Sequence, residues 1–366
     1  MLRLGVAGIG SIAGDYIGLI ADGRVRGLEL AALCSRNEKH IQAVSERYAL
    51  QAAAFTDYGE MLTSGAVDAV LICTPHGLHP SMARQALEAG LHVLVEKPVG
   101  IFADEVEELL GILRERPDLV CGVLYNRRAS QAYHYAHDLV QGGELGELVR
   151  ATWIITNLYR TDAYYASGSW RGTWKEEGGG LLMTQASHQL DLMQWICGMP
   201  ASVLARCSTV DRPIQVENEA ELFLTFPNGA HGHFLASAHE CPGTNLLEVC
   251  GTRGRVSIRD DSRVEILRLA EDERAFARAC PSPFEKVPGT VETLNFDDSD
   301  NKVQQAATIE NFVRAVRGET PIQCNLEEGL RSLQIIHGAY LSHWLERTVS
   351  LPSPEGLFRS HLAQLS

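Results

Sequence analysis

The chain has 366 residues, of which 45% are hydrophobic and 21% are charged, a composition typical of an ordinary folded protein long enough for two domains. A formal net charge of -14 argues against a nucleic acid partner. No apolar run reaches the roughly 18 residues that span a bilayer, and residues 1–3 lead directly into a predicted strand instead of a signal peptide. We therefore expect a cytoplasmic protein without a membrane partner.

The first predicted strand, residues 2–7, ends at a glycine-rich turn that is followed by a helix. Gly8, Gly10, Ser11 and Ile12 belong to a Gly-x-Gly-x-x-Ala pattern. The first glycine permits the turn, and the second lets a pyrophosphate approach the N-terminus of the helix. We interpret the turn as a dinucleotide-binding site, and a glycine-rich turn without a ligand is the alternative.

The second predicted strand, residues 28–33, is followed by Ser35 and Arg36. An NAD site normally has an acidic residue here for the ribose 2′-hydroxyl, whereas a hydroxyl beside an arginine suits a 2′-phosphate. The acidic residue is absent from this position, which favours NADP(H) over NAD(H). An arginine can also stack on adenine without binding a phosphate, so this alternative stays open.

Strands and helices then alternate, with strands predicted at residues 52–55, 68–73, 91–95 and 119–125, the pattern of an open parallel sheet. Ligands bind at the carboxyl ends of such strands, and Pro98, which lacks an N–H, ends one of them. The residues that follow two of these strands are predicted to bind the cofactor: Thr74, Pro75, His76, His79, Glu96 and Lys97.

After the parallel sheet the pattern changes to a helix, an extended stretch and an aromatic loop at residues 159–174. The loop contains Tyr164, Trp170 and Arg171. So many aromatic rings are not expected to be left in water, so the loop is predicted to cover a ligand or to pack between domains.

Three glycines precede a predicted helix at residues 181–197. Thr184, His188 and Asp191 are spaced by four and three residues and therefore share one face of that helix. A lone histidine on a helix is usually a core residue, but glycines that allow close backbone approach favour a site here.

An antiparallel sheet is predicted between residues 201 and 258, followed by an irregular edge or loop at residues 267–300 and two helices. Histidines and Cys241 alternate along one strand, but their spacing matches no standard zinc site, so we expect no metal. His239 at the end of that strand is predicted to line a pocket instead.

Five motifs together resemble the Gfo/Idh/MocA oxidoreductases. They are Gly8-Ile9-Gly10-Ser11-Ile12-Ala13, Thr74-Pro75-His76-x-x-His79, Glu96-Lys97-Pro98, Tyr125-Asn126-Arg127-Arg128 and Gly178-Gly179-Gly180-x-Leu182-x5-His188-x2-Asp191. The resemblance implies an α/β protein with a Rossmann domain, a doubly wound parallel sheet, at residues 1–122. It implies a substrate-binding α/β domain with a large, mainly antiparallel open sheet at residues 123–366, whose last helices brace the domain junction.

The same resemblance implies hydride transfer between nicotinamide C4 and a secondary alcohol or ketone of a sugar, polyol or cyclic dihydrodiol. Lys97 matches the catalytic lysine of the family and His188 its catalytic histidine. Thr184 stands where many polyol dehydrogenases have Asp, and His76 stands where Asn is common. The alternative is a glycoside hydrolase or lyase in which a tightly held NAD oxidises the sugar transiently.

We predict that Lys97 and His188 handle the proton of the substrate hydroxyl, with either residue as the primary acid/base. The predicted substrate-binding residues are Thr184, Asp191, Arg127, Tyr164, Trp170 and His239, and Arg171 is predicted to bind the cofactor. A homodimer or homotetramer is expected to form through the C-terminal sheet, because its strands have an apolar alternate face, for example Leu222 and Leu224 or Phe234 and Ala236.

Overall fold

The computed structural model describes residues 1–365, which form two compact units. The first unit comprises Met1–Ala129, Glu176–Gly178 and Asp300–Leu333. The second comprises Ser130–Lys175, Gly179–Ser299 and residues 334–365. Each unit has its own sheet.

The sheet of the first unit is parallel, and its strands have the order β3-β2-β1-β4-β5-β6 within the described residues. The strands are β1 Leu2–Ala7, β2 Leu28–Cys34, β3 Ala53–Phe55, β4 Ala69–Ile72, β5 His92–Val95 and β6 Cys121–Val123. All four residues of β4 are buried, as expected for an apolar strand covered on both faces. The strand order reverses between β1 and β4, which confirms the predicted doubly wound fold.

Helices connect these strands. They are α1 Ser11–Ala21, α2 Glu38–Tyr48, α3 Tyr58–Thr63, α4 His79–Glu88 and α5 Ala103–Glu115. The side chains of Asn37 and Asp57 cap α2 and α3, which fixes where these helices begin. Gly10 gives α1 no side-chain cap.

The second unit contains a mixed sheet of nine strands in the described chain, in the order β14-β13-β12-β11-β7-β10-β9-β8-β15. The strands are β7 Leu148–Ile155, β8 Ser202–Ser208, β9 Glu219–Thr225, β10 His231–Ser237, β11 Asn245–Gly251, β12 Gly254–Arg259, β13 Arg263–Leu269, β14 Gly289–Asn295 and β15 Val349–Ser350. Only the β7–β10 pair is parallel among these described strands. The prediction of a large, mainly antiparallel sheet is therefore confirmed.

The remaining helices are α6 Gln131–Gln141, α7 Asp162–Ala166, α8 Trp174–Glu177, α9 Leu181–Thr184, α10 Ser187–Cys197, α11 Glu273–Ala279, α12 Asn301–Val316, α13 Leu326–Leu345 and α14 Glu355–Leu365. Helix α12 lies in the first unit, where Ile309 and Phe312 join the core formed by β1 and α1. The first unit thus contains more of the chain than residues 1–122. A late helix returns to it because its apolar face completes that core.

Two predicted segments differ from the structure. The single helix predicted at residues 181–197 is wrong, because the Ala186 N–H donates to the carbonyl of Leu181 five residues back and the chain forms α9 and α10 instead. The segment 267–300, predicted as irregular, contains α11 and β14, and β14 extends the sheet by pairing with β13. The side chains of β14 are mostly exposed, so its sequence lacks the alternation of apolar and polar residues that predicts a strand.

The two faces of the second sheet are reversed from the expectation. Leu222, Leu224, Phe234 and Ala236 are buried within the chain, where α9 and α10 pack on the sheet. They therefore cannot form an outer apolar face. Leu204 and Phe223 on the opposite face are 47% and 46% exposed, and they are paired on neighbouring strands.

No helix in residues 1–365 has the length and apolar character needed to cross a membrane. The same residues contain no group of three or more His, Cys, Asp or Glu side chains arranged to hold a metal ion.

Candidate active site

The glycine turn between β1 and α1 fits a dinucleotide pyrophosphate. Gly8 has φ of +89°, and a Cβ there would lie 2.8 Å from the backbone carbonyl of Cys73, so the turn closes tightly against the end of β4. A Cβ at Gly10 would meet nothing within 4 Å. Ser11 and Ile12 are exposed at the start of α1. The first amides of an uncapped helix attract an anion, and here they are accessible.

The end of β2 presents a hydroxyl and a guanidinium. The Ser35 N–H donates to the Phe55 carbonyl at 3.1 Å, and the Ser35 hydroxyl accepts the Asn37 N–H at 3.2 Å. Arg36 is exposed, and its guanidinium forms no hydrogen bond or ion pair within the described chain. An exposed arginine without a carboxylate partner is available to bind a phosphate.

The segment after β5 is tied to α1 through Glu96. This carboxylate is buried, accepts the Tyr16 hydroxyl of α1, and accepts the Lys97 N–H at 2.9 Å. Burial raises the pKa of Glu96, and the nearby Lys97 ammonium opposes that shift. Lys97 itself is half-buried. The structure thus anchors the backbone of Lys97 to the helix that begins at the glycine turn.

His79 joins the segments that follow β4 and β5. Its ring is fully buried, with Nδ1 2.8 Å from the Pro98 carbonyl oxygen and Nε2 2.7 Å from the Thr74 carbonyl oxygen. Burial lowers the pKa of His79. Both ring nitrogens face backbone carbonyls, so His79 is suited to hold these two segments together, a role different from a direct cofactor contact.

The neighbouring residues of the same motif are more accessible. Pro75 is exposed and His76 is half-buried, with its Nδ1 3.2 Å from the Glu177 carbonyl oxygen. Arg127 lies half-buried in a short turn after β6.

In the second unit the aromatic loop is connected to α9 by a polar network. The Tyr164 hydroxyl accepts N–H groups from Arg171 at 2.6 Å and from Gln185 at 2.9 Å. The Thr184 hydroxyl lies 2.6 Å from the Gln185 side-chain oxygen and 2.7 Å from the Gly180 carbonyl. The Arg171 guanidinium stacks on the rings of Tyr164 and Trp170, at 4.3 and 4.2 Å from their centroids.

His188 and Asp191 share one face of α10, as predicted, because they are three residues apart on the same helix. His188 is half-buried and Asp191 is fully buried. Thr184 belongs to the preceding short helix, so the three residues do not follow a single helical periodicity.

His239 forms a separate pair. Its Nε2 lies 2.8 Å from a carboxylate oxygen of Glu219, beyond the end of β10 at Ser237. Because the strand ends there, the period-two face expected from His231 to Cys241 is interrupted.

Several residues were not predicted from the sequence. Tyr16, Gln185, Glu217 and Tyr340 each bond to a predicted site segment from a distant part of the chain. Tyr16 sits among the apolar residues of α1, and Gln185 lies inside the predicted helix. Neither position gives a local signal, because the partner of each is brought near only by folding.

A doubly wound parallel sheet with an open glycine turn, joined in one chain to a mixed α/β unit, is the architecture of a dinucleotide-binding protein. The model of the oxidoreductase family with an NAD-binding Rossmann fold matches residues 2–125, and the GFO/IDH/MocA C-terminal domain model matches residues 133–257. The chain belongs to the GFO/IDH/MocA oxidoreductase family and is an enzyme of that class.

Relatives match nearly the whole chain. An uncharacterized oxidoreductase of Synechocystis sp. is 26% identical over 97% of this chain and 98% of its own length. The WlbA dehydrogenase of Bordetella pertussis, crystallised with NADH and UDP-GlcNAcA, is 25% identical with a TM-score of 0.78 over 96% of this chain and 99% of its own. Levoglucosan dehydrogenase in complex with NADH and L-sorbose has a TM-score of 0.80 at 18% identity over 96% and 99%, a likeness of fold.

Proposed function

We propose that this chain is an NAD(P)-dependent dehydrogenase or reductase that acts on a secondary alcohol or ketone of a sugar, polyol or cyclic dihydrodiol. The single observation that supports it best is the Glu96 carboxylate, which links Lys97 to Tyr16 of α1 below the glycine turn. That link fixes a lysine relative to the dinucleotide segment of the same unit. The carbohydrate-bound WlbA structure supports the substrate class.

Lys97 and His188 handle the substrate proton in this proposal. Oxidation of an alcohol needs an acceptor for the hydroxyl proton, while the bound nicotinamide supplies the hydride chemistry. Histidine suits the acceptor role by its ordinary pKa near 6.5, whereas lysine, ordinarily near 10.4, suits polarisation of the substrate oxygen. The assignment with Lys97 as the acid/base is the reverse option.

Tyr164 is proposed to donate a hydrogen bond to the substrate. Its oxygen already accepts N–H groups from Arg171 and Gln185, so its own proton is directed to a third group. Trp170, exposed beside it, offers an apolar face for a sugar ring. We propose Thr184, Asp191, Arg127 and His239 as further substrate-binding residues and Arg171 as a cofactor contact.

The cofactor is proposed to be NADP(H) in preference to NAD(H), since Ser35 and the exposed Arg36 follow β2 where an acidic residue would bind a 2′-hydroxyl. The glycine turn and the residues after β4 and β5 are proposed to hold the rest of the dinucleotide. We propose the division into a dinucleotide-binding segment at residues 1–122 and a substrate-binding segment at residues 123–366.

A homodimer or homotetramer is proposed, with the outer face of the second sheet as the contact. Leu204 and Phe223 are exposed on that face, and His233 lies against Phe223 with ring centroids 4.4 Å apart. Exposed aromatic and aliphatic side chains on a sheet face favour a protein partner.

Absorbance at about 340 nm, where reduced nicotinamide absorbs, tests this function. Purified protein is incubated with NAD or NADP and a panel of sugars, sugar acids, polyols and cyclic diols. We expect substrate-dependent reduction of the cofactor. Substrate consumption without net cofactor reduction would instead indicate the transient oxidation of a glycoside hydrolase or lyase, although the relatives named above are oxidoreductases and dehydrogenases.

A further inference from the structure

Glu217 is a buried carboxylate that the reaction does not use. It lies just before β9 and is 3% exposed. Removal of a charged carboxylate from water is costly unless hydrogen bonds replace its hydration. The contacts of Glu217 therefore have to account for its burial.

These contacts join Glu217 to the start of α9 and to α13. The carboxylate accepts the N–H of Gly180 at 3.0 Å and of Leu182 at 2.9 Å, and it accepts the Tyr340 hydroxyl at 2.8 Å. The backbone carbonyl of Glu217 accepts the Leu181 N–H at 2.9 Å. The first amides of a helix lack intrahelical acceptors, so one residue satisfies three successive amides of α9 from 35 to 37 positions away.

Gly180 and Glu217 lie so close together that no side chain fits between their backbones. A Cβ at Gly180 would lie 2.0 Å from the Glu217 carbonyl oxygen and 2.8 Å from a carboxylate oxygen. Only glycine fits at this position, so the third glycine of the triplet is explained by Glu217 and not by a ligand.

The anchored segment leads directly to His188. The Ala186 N–H donates to the Leu181 carbonyl at 2.8 Å, and the Ser187 hydroxyl lies 3.3 Å from the Thr184 carbonyl. Helix α10 begins at Ser187 and carries His188 as its second residue. Glu217 is therefore connected through α9 to the start of α10.

The protonation state of Glu217 matters because all three side-chain contacts are donors to it. A protonated carboxyl has its own proton to donate and accepts fewer bonds. Burial raises the pKa of Glu217 to about 7 against the effect of these donors. Tyr340 on α13 and Cys207 on β8 are the titratable groups that face it, and burial and the Glu217 charge raise the pKa of both. Helix α9 contributes backbone amides.

We propose that Glu217 is a positioning residue: in its ionised form it fixes α9 and the start of α10, and thereby sets the placement of His188 for turnover. This proposal rests on the proposed function of His188. Under this proposal, turnover requires the Glu217 carboxylate even though this group contacts neither substrate nor cofactor.

The first experiment compares Glu217→Gln and Tyr340→Phe with the parent enzyme. Glutamine keeps the size of the side chain but places an NH₂ group against at least one amide donor. We expect kcat to fall about 10- to 100-fold at pH 8.5, the range for loss of a hydrogen bond to a buried charge, with cofactor affinity unchanged. Tyr340→Phe removes one donor and keeps its stacking on Trp344, so a few-fold loss is expected. Glu240→Gln, an exposed carboxylate that accepts the Thr156 hydroxyl, is the control.

The pH dependence separates positioning from a merely structural role. Because Glu217 is protonated as pH falls below about 7, the kcat ratio of parent to Glu217→Gln should shrink toward one at pH 5.5. A constant ratio from pH 5.5 to 8.5 would overturn the proposal.

A readout independent of activity uses tryptophan fluorescence. Trp174 lies edge-on to the Tyr340 ring, with centroids 5.2 Å apart. We expect a fluorescence change with a midpoint near pH 7 in the parent that is absent in Glu217→Gln and shifted in Tyr340→Phe. If Glu217→Gln does not fold, Tyr340→Phe alone decides: unchanged kcat and an unshifted midpoint would contradict the proposal.

The failures of the two proposals are distinguishable. Normal kcat in Glu217→Gln, in a protein that Lys97→Ala inactivates, would overturn the positioning role and leave the proposed function intact. Normal kcat in His188→Ala would instead overturn the role given to His188, and the role of Glu217 with it. A parent protein that reduces no cofactor with any substrate would count against the proposed function. The fluorescence titration would still show whether protonation of Glu217 changes the surroundings of Tyr340.

Discussion

The two units hold their candidate residues in different ways. In the first unit the residues stand at the ends of β1, β2, β4 and β5, which strand order brings to one edge of the sheet, and contacts of Glu96 and His79 add to that placement. In the second unit side chains from distant segments hold the loop and the glycine segment: Glu217 and Tyr340 accept the Gly180 N–H, and Tyr164 accepts an N–H of Gln185. A regular α/β sheet is thus a scaffold that positions residues by topology, whereas an irregular loop and a broken helix need specific side-chain anchors.

This difference predicts how each unit responds to substitution. A change at a strand end in the first unit should remove the chemistry of one side chain and leave its neighbours in place. A change at an anchor in the second unit should alter residues that it does not replace.

The largest effect is expected at Lys97 and His188. Lys97→Ala should lower kcat on the order of a hundredfold or more, the usual range for loss of an acid/base partner, with cofactor affinity largely retained. His188→Ala should have a comparable effect. Steady-state kinetics and cofactor titration measure both, and Lys286→Ala, an exposed lysine, is the control. Near-normal turnover in either variant would contradict the role of that residue.

Cofactor preference is the next test, and it concerns the first unit alone. Arg36→Asp should weaken NADP binding about 10- to 100-fold more than NAD binding, because it removes a charge-assisted contact and repels the 2′-phosphate. Isothermal titration with each cofactor measures the difference. Arg24→Asp, at an exposed turn after α1, is the control. Equal losses of affinity for NADP and NAD would mean that Arg36 does not bind the 2′-phosphate.

A smaller change is expected from the aromatic loop. Tyr164→Phe keeps the ring on which Arg171 stacks and removes the hydroxyl. KM should rise about tenfold with a smaller change in kcat, as expected for a hydrogen bond made in both ground and transition states. Tyr159→Phe, on an exposed ring that packs with Arg212, is the control. A fall in kcat without a rise in KM would indicate that Tyr164 acts in the chemical step and not in substrate binding.

The smallest expected change concerns association. Phe223→Glu adds a charge to the outer sheet face and should convert a dimer or tetramer into smaller species without loss of folding. Analytical ultracentrifugation at micromolar concentration measures this, with Val291→Glu, exposed on the edge strand β14, as the control. A 40.1 kDa monomer in the parent protein would refute the oligomer.

Local patterns in the first 125 residues were sufficient to predict that region in detail. Strand β1 has the predicted bounds, Leu2–Ala7, because an apolar run between a terminus and a glycine turn has few alternatives. The same reasoning failed at residues 181–197, where apolar content predicted one helix and the Ala186–Leu181 bond divides it. It also failed for β14. This strand lies at the edge of the sheet with mostly exposed side chains, so its sequence has no alternation of apolar and polar residues.

The sequence by itself determined the order of strands and helices in residues 1–125, the glycine turn and the identities of the motif residues, since these depend on neighbours within a few positions. Only the tertiary structure decided which sheet face is buried, that α12 completes the first core, and that Glu217 and Tyr340 anchor the glycine segment before α9. The physical reason is sequence separation. The buried carboxylate of Glu217 and its donors are 35 to 123 residues apart, and no local periodicity in the sequence indicates that they pair.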